Sequence, residues 1–253
     1  MNILMLTLCG FIIGFILISV GMGAALYIGC LITFFHLPDK TAAASALVIT
    51  LPALIVGTYF YHRKNLINYN QGNKLLIWAI CGTLGGSLIV PFINQHYYQI
   101  IISIILIVLA ITILFHVFVD PHLKHQSYVH HKLHRVMANF ASVISGIMIG
   151  LAGMSGGGPL VAGMLLLDAP MAQAAATSSY IRVWTTLLGI GLHFNTMKIA
   201  WNLVFYMILG TTVGALIAPY IMQKINTENN WINRIFKPII ALILLYMGIK
   251  SFI

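Results

Sequence analysis

The residues best suited to chemistry in this 253-residue sequence are one glycine run and one arginine. The run reads Gly153-Met154-Ser155-Gly156-Gly157-Gly158-Pro159 and lies inside an apolar stretch. Consecutive glycines let backbone N–H groups converge, and a helix starting at Pro159 would aim the positive end of its dipole at the break. That arrangement binds anions through backbone donors, with the Ser155 hydroxyl as a further one. The alternative use is close helix packing through small residues. Arg182 sits inside the apolar run 173–194. A guanidinium at membrane depth faces a cavity or a partner, and its fork suits an oxyanion. An ion pair with Asp168, or snorkelling to the interface, is its other use. Thr177, Ser178 and Ser179 bring hydroxyls about one turn from Arg182. With Ser45 and Thr50 they either line the same cavity or bond their own helix backbone. The expected substrate-binding set is therefore Gly153, Ser155, Gly156, Gly157, Gly158, Thr177, Ser178, Ser179 and Arg182.

Other groups point to bland roles. His116, His122, His125, His130, His131 and His134 gather in one segment, and two pairs have the i, i+3 spacing of metal ligands. Only Asp120 supports them and no cysteine does, so a solvated cytoplasmic loop is expected, with no metal and no cofactor. Cys9, Cys30 and Cys81 lie in apolar runs as packing residues. Asp39 and Asp168 stand where half-helices end and read as caps or loop residues ahead of proton carriers. His193, at the end of an apolar run, reads as interfacial or pore-lining. The tetrapeptide Gly153-Met154-Ser155-Gly156 also spells the G-x-S-G of rhomboid-type intramembrane serine proteases, with His193 as the base such chemistry requires. The glycine break recurs at Gly21–Gly23 without a serine, which suits a transport scaffold better than a catalyst.

These residues must be positioned by membrane helices. Hydrophobic residues make up 60% of the chain and charged ones only 7%, against roughly 25% in a soluble domain. The 13 Lys and Arg outnumber four acids, yet they sit between apolar runs and form no aromatic-interleaved patch. That placement follows the positive-inside rule and excludes nucleic acid as a partner. Runs of spanning length are 41–61, 75–93, 98–119, 173–194, 201–222 and 236–253. Two more, 3–35 and 138–167, would be ~45–50 Å long if straight, too long for one crossing. Glycine interrupts each near its middle, at Val20-Gly21-Met22-Gly23-Ala24 and at Gly153–Pro159, so each is expected to form two half-helices.

The two halves match at an offset of 132 residues: Gly14 with Gly146, Gly21 with Gly153, Met22 with Met154, Pro38 with Pro170, and Gly57 with Gly189. After a four-residue shift, Gly82-Thr83 matches Gly210-Thr211 and Gly86 through Pro91 matches Gly214 through Pro219. The expected architecture is an all-α membrane protein of two homologous four-segment repeats, 1–119 and 138–253, joined by a His-rich basic cytoplasmic loop, 120–137. If each broken segment folds back, nine loop cations lie inside against three outside (Lys40, Lys198 and Lys250), and the repeats are inverted. If each crosses once, the repeats are parallel and the count is eight against four. The inverted arrangement is favoured by that one residue.

On these residues the sequence resembles the sulfite exporter TauE/SafE-type permeases of bacterial cytoplasmic membranes. The resemblance rests on Gly146, Gly150, Gly153 and Gly156-Gly157-Gly158-Pro159, on the small-residue helix Ala174–Ser179 after Pro170, and on their echo in the first half. It implies a multi-pass inner-membrane transporter, by expectation an exporter, of sulfur-containing or related organic anions. Partners would be the anion, the bilayer and, in one possible assembly, a second copy. The first half carries Ala24, Ala25 and Leu26 where the second has three glycines, so an asymmetric site in the second half is expected. Backbone donors and one arginine fit sulfite, sulfonates, thiosulfate or a carboxylate alike. A scaffold or assembly factor without transport, and the protease above, are the competing readings.

Overall fold

In the computed structural model, residues 3–20, 23–119, 131–154, 156–194, 198–224 and 231–252 are described. Among them the chain is all-helical: α1 (Ile3–Val20), α2 (Gly23–Thr33), α3 (Asp39–Arg63), α4 (Tyr69–Ile89), α5 (Gln95–Val119), α6 (His131–Ala152), α7 (Gly157–Leu166), α8 (Met171–His193), α9 (Trp201–Lys224) and α10 (Trp231–Phe252). Asp39–Arg63, Tyr69–Phe92, Leu133–Ala152 and Trp201–Ala218 are long and apolar enough to cross a membrane. Helix α6 begins at His131, inside the segment 120–137 expected as a loop, so the last part of that segment is helical. His122, His125 and His130 lie outside the described residues.

Both long apolar runs fold back on themselves. Tyr27 Oη donates to the Gly10 carbonyl at 3.2 Å, a contact impossible in a straight helix, where the two would stand ~25 Å apart. Ser145 Oγ donates to the Gly156 carbonyl at 2.6 Å, and Gly163 packs on Ala138 and Ala141. Helices α2 and α7 therefore return along α1 and α6. The connections into α3 and α8 share one local conformation: His36 and Asp168 have φ of 49° and 58°, and Pro38 and Pro170 then stand as extended N-caps. Proline has no N–H to leave unsatisfied at such a start.

Two seams join helices of the two halves through glycine. Gly10 and Gly14 of α1 rest on the backbone of Met207 and Thr211 of α9, while Gly210 and Gly214 rest on Thr7 and Phe11. Gly82 and Gly86 of α4 meet Val143 and Ile147 of α6 in the same way, and Gly146 and Gly150 return the contact to Ala79 and Thr83. Partners advance in step on both seams, so α1 runs parallel to α9, and α4 to α6. At every one of these glycines a Cβ would strike main chain, so the helices approach as closely as small residues permit.

The buried apolar residues divide accordingly. One cluster joins α1, α2, α3 and α9 with α5 and α10; the other joins α4 with α6, α7 and α8. The first cluster thus takes two helices, α9 and α10, from the opposite half of the sequence, and the second takes one, α4. Helices α3 and α8 meet where the clusters adjoin.

Candidate functional site

Helix α6 stops at Gly153, whose φ of +65° is the left-handed conformation glycine adopts without penalty. A helix ending at membrane depth leaves carbonyls that water cannot satisfy. Four of them have named donors. Met148 accepts from Met154 N–H at 3.3 Å and Ile149 from Gly153 N–H at 3.0 Å. Gly150 accepts from His193 Nε2 at 2.6 Å and from Ser87 Oγ at 3.2 Å. Leu151 accepts from Tyr98 Oη at 2.7 Å. The break is therefore held by α8, α4 and α5 together.

On the far side of the break, α7 starts at Gly157, two residues before Pro159 where the sequence placed it. Gly156 is its N-cap, and its own N–H already bonds Met154 O at 2.9 Å. The first-turn donors facing the break are those of Gly157 and Gly158, positions whose N–H groups have no intrahelical acceptor. Ser155 lies outside the described residues, and with it the serine of the protease reading. His193, the base in that reading, spends its Nε2 on Gly150 O.

Arg182 is 3% exposed in the middle of α8, with Nη2 donating to Ser179 Oγ at 2.9 Å. It lies within electrostatic range of Tyr61 on α3. Asp168, its sequence-level candidate partner, is exposed at the turn after α7. The three expected hydroxyls divide by role. Ser179 holds the arginine, Ser178 bonds its own helix at Ala175 O (2.9 Å), and Thr177 accepts from Asn68 N–H of the α3–α4 connection at 3.0 Å. Ser45 likewise accepts from Ala200 N–H at 3.1 Å, and Thr50 bonds Leu47 O at 3.0 Å. Asp39 is buried at the start of α3, where it accepts from Gln95 Nε2 at 3.1 Å. Four residues that hold the break, Ser87, Tyr98, Ser145 and His193, were not in the expected binding set. Their common signal is a polar side chain inside an otherwise apolar run.

Depth relates the two parts of the site. Helix α8 runs beside α6, with His193 level with Gly150. At 1.5 Å per residue, Arg182 lies ~16 Å down α8 from that level. Gly156, held at Ser145, lies ~8 Å down α6, and α7 continues away from it in the same direction. Arg182 therefore lies ~8 Å farther along the bundle than Gly156, with the first turn of α7 between the two levels.

No curated protein and no solved structure was found to match the chain. A family model described as sulfite exporter TauE/SafE does match it, over residues 6–251. The glycine-rich stretch, the small-residue helix after Pro170 and nearly the whole remaining length fall within that match, so this chain belongs to the sulfite exporter TauE/SafE family of membrane transporters.

Proposed function

We propose that the chain is a secondary carrier that exports small sulfur-containing or organic anions, such as sulfite or sulfonates, across the bacterial cytoplasmic membrane. The observation that carries this reading is Arg182, a cation 97% withdrawn from the surface in the middle of a helix that runs through the bundle. A charge at such depth marks a substrate path by default. The guanidinium neutralises the arriving oxyanion bidentately, Ser179 fixes its rotamer, and the N–H groups of Gly157 and Gly158 supply donors at the positive end of α7. Ser155 stays in the binding set on its place in the sequence alone. Gly153, Gly156, Thr177 and Ser178 shape it by holding the break and the two connecting helices.

Support for alternating access comes from the helix directions. Thr177 at the start of α8 bonds Asn68 beyond the end of α3, while Ser45 near the start of α3 bonds Ala200 beyond the end of α8. The two helices are antiparallel, as a pseudo-two-fold axis in the membrane plane requires of equivalent elements. That relation supports the inverted arrangement. The bodies that rock are the two apolar clusters, each with the helices it takes from the other half, and they slide along α3 and α8.

The test is flux of labelled sulfite, thiosulfate, short sulfonates and short carboxylates in proteoliposomes, wild type beside Arg182→Gln. Saturable transport of one class, reduced roughly tenfold or more by the substitution, is the expected result. Transport that the variant retains in full removes Arg182 from the site. No flux of any anion under imposed proton and sodium gradients, from folded protein, overturns the carrier reading.

A further inference from the structure

A cleft of about 300 Å³ opens between α4, α6 and the end of α7, outside the site described above. Its polar lining is Gln71, Lys74, Arg135 and Asn139, with Leu75, Trp78 and Leu167 completing the wall, and no acidic side chain contributes. Lys74 and Trp78 are one turn apart on α4, and Arg135 and Asn139 are one turn apart on α6, so each pair shares a helix face. The glycine seam between α4 and α6 fixes the distance between the two faces. Two cations and two amides thus converge on rigid elements.

The surroundings identify the occupant. Lys74 and Arg135 stand at the same end of the bundle as Arg63 and Lys64, while Lys40, Lys198 and Lys250 stand at the other: Lys40 Nζ donates to Ile93 O and Lys250 Nζ to Thr33 O. By the positive-inside rule the cleft faces the cytoplasmic leaflet, where anionic lipids concentrate. Beside it, Trp78, Val136 and Phe140 are 46%, 63% and 65% exposed, an apolar surface suited to acyl chains with a tryptophan at headgroup depth. A free anion has no use for that surface; a phospholipid needs both parts. The offsets that align the two halves place Asn202, Tyr206, Ile3 and Thr7 at the positions equivalent to Lys74, Trp78, Arg135 and Asn139. The equivalent positions of the opposite leaflet therefore carry no cation.

We propose that the α4–α6 cleft binds the phosphate of an anionic glycerophospholipid of the cytoplasmic leaflet, with Lys74 and Arg135 on the phosphate oxygens and Trp78 against the glycerol and acyl carbons. Occupancy ties the first turns of α4 and α6 to the bilayer and anchors the cluster formed by α4, α6, α7 and α8. The site rests on charge and shape alone and is independent of which solute is carried.

The experiment is quenching of tryptophan fluorescence by brominated lipids in mixed micelles of the full chain, comparing phosphatidylglycerol with phosphatidylcholine. Wild type is expected to be quenched at a several-fold lower fraction of phosphatidylglycerol, and Trp78→Phe to lose that difference. Lys74→Gln with Arg135→Gln is expected to weaken the preference by about an order of magnitude, from the contribution of each basic residue near an anionic surface. Both cations are exposed, and helical circular dichroism verifies that the variant folds; Lys74→Gln alone serves if it does not. Equal quenching by the two lipids overturns the proposal, as does a preference that survives the double substitution. Displacement of the lipid by millimolar inorganic phosphate would assign the cleft to a free anion and overturn it as well.

Discussion

Thr177 Oγ1 accepts the backbone N–H of Asn68 at 3.0 Å, across the boundary between the two halves of the chain. Ser45 Oγ and Ala200 N–H, each 132 positions from its counterpart, make the same bond at 3.1 Å at the opposite end of the α3–α8 pair. Each hydroxyl satisfies a donor that a helix start would otherwise leave unmet.

Thr177→Val keeps the shape and removes the acceptor, so it should cost about 1 kcal/mol, and Thr177→Ser should cost little. Ser45→Ala should cost a similar amount. The two sites share no partner, so the double variant should be additive within about 0.5 kcal/mol. Thermal unfolding in detergent measures all four. Strong non-additivity would mean that the two ends are coupled through the helices between them.

Arg182→Gln should lower transport kcat/KM by roughly ten- to a hundredfold, the weight of a charge-assisted hydrogen bond, and Arg182→Lys should recover only part. A lysine supplies the charge without the fork. Equal loss in both variants would show that geometry matters more than charge, and equal retention would show that neither does.

Gly153→Ala faces two costs, about 1–2 kcal/mol for a left-handed non-glycine residue and a collision with the Ala43 backbone. Gly191→Ala is the control, because nothing stands within 4 Å of its added Cβ. In a helix that change should be neutral or stabilise by about 0.5–1 kcal/mol. The melting temperatures of the two variants should move apart.

His193→Leu removes the closer donor on the Gly150 carbonyl and should destabilise by about 1–3 kcal/mol, with His193→Gln restoring part. The imidazole Nδ1 is buried with no partner among the described residues, so the loss of that atom itself costs nothing. Unchanged stability in His193→Leu would mean that Ser87 alone suffices at the break.

Lys64 and Lys198 are exposed at opposite ends of the bundle. Single cysteines placed there, with Cys9, Cys30 and Cys81 replaced, should react with membrane-impermeant maleimide from opposite sides. Labelling of both from one side would exclude the inverted arrangement.

Composition alone determined that this is a membrane protein, because 7% charge cannot solvate 253 residues. Glycine at the centres of two overlong runs determined that both would break, since helix propensity and bilayer thickness are local quantities. What the sequence left open was direction and pairing. A margin of one cation favoured the folded-back arrangement, and only the hydrogen bonds of Tyr27 to Gly10 and Ser145 to Gly156 bring α2 back along α1 and α7 back along α6. The glycines at 10, 14, 82, 86, 146, 150, 210 and 214 were visible as a pattern, but not that they pair α1 with α9 and α4 with α6. Small residues say that a helix is approached closely; they do not say by which helix. The hydroxyls of residues 177–179 show the same limit. Their types were legible, yet only packing assigned one to a distant backbone amide, one to its own helix and one to Arg182. A hydroxyl bonds whatever polar group is nearest, and what is nearest is settled by contacts between residues far apart in the chain.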